Sequence, residues 1–218
     1  MIQSHLSENK NEIEFVGQLF PNRSYTQVYD DHKLLNEKTI MAHCVHLTKE
    51  EIELIKERNS GVSHCPTSNI NIMSGFVNVR ALLEKGIKVG LGTDVSGGSS
   101  CSILTAINDA ITVSRVVNLQ KSLLLKEAFY LATLGNARVM NLENKIGNFL
   151  IGKYFDALII DINTTDSKVF LHDETDDIYD RFQKFIFTGD DRNIHSVYVN
   201  GKLVHSVGAT GVANDNLQ

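Results

Sequence analysis

Short apolar runs alternate with segments of helical period over the first 140 or so residues. Residues 2–5 read as an extended piece. Residues 8–20 then place Ile13, Val16 and Leu19 at helical spacing. Residues 39–44 read as a strand. Thr48 opens a helix, because Glu51 three residues later completes a capping box ahead of Ile52 and Ile55. The pattern recurs with a strand at 61–65, a helix at 76–85 stopped by Gly86, a strand at 88–94 and a helix at 102–118 carrying Ile103, Ile107, Ala110 and Val117. A further helix over 126–140 closes the region. Four strand-then-helix units in series predict a parallel sheet with helical crossovers.

The texture changes beyond residue 145. Residues 155–161 form a buried-looking strand, and 196–207 two strands joined at Asn200-Gly201, a strong hairpin signal. Between them, residues 173–180 carry five acids in eight positions and read as a solvated loop. The expected organisation is a partial (β/α) domain over 1–142 and a β segment over 143–218. No repeat of solenoid period and no low-complexity segment is found.

Composition narrows the function classes. The chain has 218 residues, is 42% apolar and carries a formal charge of −5, from 21 Lys and Arg against 26 Asp and Glu. It is too apolar for a disordered chain, and no run approaches the roughly 18 to 20 apolar residues of a membrane span. The mild acidity and the lack of a basic cluster argue against a nucleic-acid partner. Three widely spaced cysteines, Cys44, Cys65 and Cys101, make a poor disulfide framework, and the first residues form no signal peptide. A reduced, cytoplasmic protein is the expectation.

Polar residues that end apolar strands carry the chemistry. Functional groups in parallel α/β folds gather at the carboxyl ends of strands. Here the four expected strands end at His5, His43, His64 and Asp94, spaced by 38, 21 and 30 residues. That spacing puts them on successive strands, where they converge over one sheet edge. Imidazoles and a carboxylate so arranged suit a borderline divalent ion such as zinc. Glu8, three residues beyond His5, is placed to carry a proton over the same site. Cys44, His46, His64 and Cys65 lack the tight paired spacing of a structural zinc site. Gly90-Leu91-Gly92 lacks the third glycine of a dinucleotide loop, while Gly97-Gly98 suits a tight turn beside the site. A free nucleophilic cysteine stays open.

At these residues a resemblance enters. Gln3-Ser4-His5-Leu6-Ser7-Glu8, Met41-Ala42-His43, His64-Cys65-Pro66-Thr67-Ser68-Asn69 and Gly92-Thr93-Asp94-Val95-Ser96-Gly97-Gly98 resemble the amidohydrolase superfamily, and within it the guanine deaminase family. Ser74-Gly75-Phe76, Ala132-Thr133-Leu134-Gly135, Ile146-Gly147-Asn148-Phe149, Gly189-Asp190-Asp191-Arg192-Asn193-Ile194 and Val197-Tyr198-Val199-Asn200-Gly201-Lys202 continue it over nearly the whole chain.

The resemblance implies an α/β fold: the second half, the strand 5–8 region, of a distorted (β/α)8 TIM-like barrel, with C-terminal strands of a small β-sandwich. It implies one zinc ion, with His5 and Asp94 as ligands and two further ligands expected upstream. Glu8, His43 and Asp94 take catalytic roles, His5, Glu8 and Asp94 border the substrate, and His64 is structural. The implied reaction is hydrolytic deamination of guanine to xanthine and ammonia, a step of purine catabolism, by a cytoplasmic enzyme that is a homodimer at full length.

The superfamily's His-x-His pair and the arginine and glutamine that grip guanine have no counterpart here. The expectation is therefore a fragment that binds zinc weakly and turns over no guanine by itself. Two other readings stand beside it: an amidohydrolase acting on a different heterocycle, and a non-catalytic half-barrel that works by association.

Overall fold

The computed structural model describes residues 1–208, and the chain divides into two compact units, Met1–Gly147 and the remainder from Asn148. The first unit is built on four parallel strands, β1 (Ile2–Leu6), β2 (Thr39–His43), β3 (Gly61–His64) and β4 (Lys88–Leu91), hydrogen-bonded in that order. Met41 pairs with Val62 and Val62 with Val89, giving one row across the sheet, at most 2% exposed. Removing such side chains from water is the main favourable contribution to this unit.

Helices follow each strand. α1 (Lys10–Leu19) starts at Asn9, whose side chain accepts from the Glu12 amide. None of its residues is buried, so the Ile13-Val16-Leu19 stripe of the sequence does not become core here. α2 (Tyr25–Asp31) was not expected, although Ser24 and Gln27 form a capping box. α3 (Lys49–Glu57) has the expected Thr48–Glu51 box, and Ile55 is buried on its inner face. Glu51 does more than cap. Its second carboxylate oxygen accepts from the amide and hydroxyl of Thr26, tying α2 to α3.

α4 (Pro66–Asn71) is a second helix absent from the sequence reading, opened by proline at its first position. α5 (Val79–Glu84) is shorter than expected and ends as foreseen at Gly86, whose φ of +80° favours glycine. α6 (Ile103–Val117) starts from Ser102. The helix expected over 126–140 is α7 (Leu125–Tyr130), a π-helical turn (Leu131–Gly135) and α8 (Asn136–Val139) in succession.

That interrupted helix covers the outer edge of β4. Asn136 Oδ1 accepts from the Leu91 amide (2.9 Å), and its Nδ2 donates to the Leu91 carbonyl (3.1 Å). A side-chain amide thus replaces the neighbouring strand, one way of managing an unpaired edge. Gly135 permits the approach, since a Cβ there would lie 2.9 Å from the Val89 carbonyl oxygen.

The second unit holds an antiparallel sheet of β5 (Ala157–Ile160), β6 (Ile194–Val199) and β7 (Lys202–Ser206). Asn200 and Gly201 join β6 to β7 with φ of +50° and +75°, the two left-handed residues that a tight hairpin needs. The unit is not all β, which corrects the sequence reading. Helix α9 (Ile178–Thr188) begins inside the acidic stretch, because Asp177 accepts from the Tyr179 and Asp180 amides. The acids taken for a solvated loop therefore include an N-cap and its first turn. Residues 209–218 of the expected β segment lie outside the described residues.

Candidate active site

The parallel register sets the strand ends level: Leu6 pairs with His43, Ala42 with Ser63, and His64 with Leu91. His5 is the next-to-last residue of β1, while His43 and His64 close β2 and β3. Asp94 is not on a strand, contrary to the expected strand over 88–94. β4 stops at Leu91, and Asp94 sits three residues on with φ of +47°. Its carbonyl accepts from the Gly98 amide at 2.7 Å, so a tight turn presents the carboxylate.

His5, His43 and Asp94 each offer one ligand atom, and these atoms lie within 4.8 Å of one another. The two imidazoles meet edge to face with ring centroids 4.8 Å apart. His43 Nε2 is 3.8 Å from Asp94 Oδ2. His43 is fully buried, Asp94 half-buried and His5 exposed, so the cluster opens on the His5 side. His43 Nε2 is buried with no hydrogen-bond partner among the described residues, an arrangement that normally costs stability unless something binds there. Two imidazole nitrogens, one of them the orphaned His43 Nε2, and one carboxylate oxygen form a donor set that fits a zinc ion.

Glu8 stands beside the cluster. Its Oε1 lies 3.4 Å from His43 Nδ1 and accepts from Ser74 Oγ, also at 3.4 Å. Ser74 is fixed through its carbonyl, which accepts from His46 Nε2 at 2.7 Å. On the other side, His5 is steadied through its own carbonyl, which accepts from the Tyr29 hydroxyl at 3.0 Å. Asn69, whose Oδ1 lies 2.9 Å from His43 Nδ1, and Ser74 thus touch the site residues, and the sequence reading gave neither a role. Both lie within the quoted motifs, but their contacts depend on helix α4 and the turn after it.

His64 does not join the ligand group. It is 1% exposed, and both ring nitrogens are buried without partners among the described residues. Burial, and next the charge of His43, push its pKa down to about 3, so it stays a neutral packing residue. Cys44, His46, His64 and Cys65 form no metal-binding group among the described residues. Burial raises the Cys44 thiol well above its usual range and the Cys65 thiol to about 11, so neither is a thiolate near neutrality. Among the described residues, no helix is long and apolar enough to cross a membrane.

The chain is similar to known proteins over most of its length. It matches the Amidohydrolase family over residues 1–204 and belongs to that family. It is 51% identical over 210 residues to a guanine deaminase of Dictyostelium discoideum, covering 94% of this chain and 46% of that protein. It superposes with a TM-score of 0.85 and 42% identity on the crystal structure of guanine deaminase from C. acetobutylicum with bound guanine, covering 93% of this chain and 48% of that one. An adenosine deaminase from Xanthomonas campestris with bound zinc is similar at TM-score 0.78 and 25% identity, over 92% and 44% of the two chains. The chain spans about half the length of the relatives it matches.

Proposed function

We propose that the protein carrying this chain hydrolyses guanine to xanthine and ammonia with a bound zinc ion. One observation carries the reading: two imidazoles and a carboxylate converge at the strand ends of a chain whose relatives are named guanine deaminases. In this reading the four-stranded sheet is the strand 5–8 part of a (β/α)8 barrel, and the three-stranded sheet belongs to a small β-sandwich. His5 and Asp94 hold the ion, with two further ligands from outside this chain. When bound, zinc supplies Lewis acidity that brings the pKa of a coordinated water to about 7.

The chain's own groups do the rest. Asp94 accepts the proton of the attacking water, and His43 orients that water through Nε2. Glu8, steadied by Ser74, protonates the purine ring nitrogen and then helps deliver a proton to the departing amine. His5, Glu8 and Asp94 border the bound base. The full protein is a cytoplasmic homodimer in this reading, with a small purine as its partner.

The test is xanthine formation from guanine, followed by ultraviolet absorbance, in the zinc-loaded protein. Glu8→Gln and Asp94→Asn are each expected to lower kcat by at least about 100-fold. Turnover that survives both substitutions, or that occurs with another heterocycle and not with guanine, overturns the assignment.

A further inference from the structure

A neutral imidazole carries one N–H, and its position decides whether the other nitrogen gives or takes a hydrogen bond. His43 Nδ1 lies 2.9 Å from Asn69 Oδ1 and 3.4 Å from Glu8 Oε1. An amide oxygen only accepts, and so does Glu8 in its carboxylate form, so the nitrogen flanked by these two oxygens is the one that bears the proton. Nε2, with no hydrogen-bond partner among the described residues and 3.8 Å from Asp94 Oδ2, is then left with its lone pair facing the cluster.

Of the two acceptors, Asn69 is the shorter and the better fixed. It is 2% exposed, its amide donates to the Cys65 carbonyl (3.0 Å), and its carbonyl accepts from the Ser74 amide (2.9 Å). Its side-chain Nδ2 has no partner among the described residues, so contact with His43 alone orients the amide. Glu8 is the more distant acceptor and, in the reaction above, changes its protonation state.

We propose that Asn69 is a positioning residue that holds His43 as the Nδ1–H tautomer, so that Nε2 accepts a hydrogen bond in the site. This deepens the guanine-deaminating reading, on which its consequence rests: His43 then takes a hydrogen bond from the attacking water instead of giving one. The tautomer itself is measured without any turnover, so the two readings fail separately.

Long-range proton–nitrogen spectra of the 218-residue chain, at alkaline pH where free imidazoles are neutral, locate the His43 proton directly. Asn69→Leu keeps much of the shape and, because Nδ2 has no partner among the described residues, removes the bond to His43 and no other seen among them. The proton is expected on Nδ1 in the wild type, in Asn69→Asp and in Glu8→Gln, and the Nδ1–H signal is expected to be lost in Asn69→Leu. Retention of that signal in Asn69→Leu, or its loss in Glu8→Gln, overturns the proposal. Should Asn69→Leu fail to fold, a wild-type proton on Nε2 does the same. In the active protein, Asn69→Leu is expected to lower kcat by about tenfold or more, with KM little changed and recovery in Asn69→Asp.

Discussion

Leu91 and Asn136 are joined by two reciprocal hydrogen bonds, amide to Oδ1 at 2.9 Å and Nδ2 to carbonyl at 3.1 Å. The last residue of β4 is thereby paired on its outer side by a side chain, three positions before the carboxylate that completes the candidate site. Asn136→Leu is expected to destabilise the fold by about 2 kcal/mol, from two lost bonds and two unpaired backbone groups. Urea unfolding measures it. A change within about 0.5 kcal/mol would mean that water serves the edge equally well.

Gly97 is a spacing residue for Asp94. A Cβ at Gly97 would lie 2.8 Å from both Asp94 Oδ2 and Ser68 Oγ, closer than side chains tolerate. With Asp94 as the proposed zinc ligand, Gly97→Ala is therefore expected to push the carboxylate away and weaken zinc binding by about tenfold, by competition with a chromophoric chelator. An unchanged affinity would show that the turn yields while the ligand stays.

Acid should unfold the protein partly through His64. Burial holds its folded pKa down to about 3, below the ordinary 6.5, so the unfolded chain binds the extra proton. Stability is then complete above about pH 6.5 and falls as the pH drops from there toward 3, by about 2 kcal/mol on reaching pH 5. Both ring nitrogens lack partners among the described residues, so His64→Phe loses no hydrogen bond seen there at neutral pH. The variant's stability between pH 7 and 5 is expected to be flatter than the wild type's. Parallel curves would refute the assignment.

Thiol chemistry separates the three cysteines. Cys44 and Cys65 are buried with raised thiol pKa values, while Cys101 is exposed. One thiol per chain is expected to react with a disulfide reagent in the native protein, and all three after unfolding. Fast native reaction at Cys65 would indicate that the strand ends open.

Arg80 and Glu127 clamp α5 to α7 through a forked pair with bonds of 2.9 and 2.7 Å. The guanidinium holds the Glu127 carboxyl below its usual pKa, so this contribution is present above the ordinary carboxylate range and lost as pH falls from there through the lowered folded value. Both side chains are partly exposed, so Glu127→Gln is expected to cost about 1 kcal/mol at pH 7, less in high salt. Thermal unfolding at two ionic strengths checks this. A loss that does not shrink with salt would point to packing instead.

Local rules carried much of this protein in its sequence. The Thr48–Glu51 box, the stop at Gly86 and the Asn200-Gly201 turn specify elements whose bonding partners lie a few residues apart. Strand-end polarity likewise selected His5, His43 and Asp94, because a parallel sheet has to bring its carboxyl ends together. Two helices were also written locally, in the Ser24–Gln27 box and in Pro66, but each is six or seven residues long and too short for periodicity to reveal. Only the tertiary structure decided the rest. It took Asp94 off its strand into a turn, turned His64 into packing, and set Asn69, Ser74 and Asn136 against groups 26, 66 and 45 residues away. Burial, edge pairing and tautomer depend on which atoms meet in space, and no spacing along the chain encodes them.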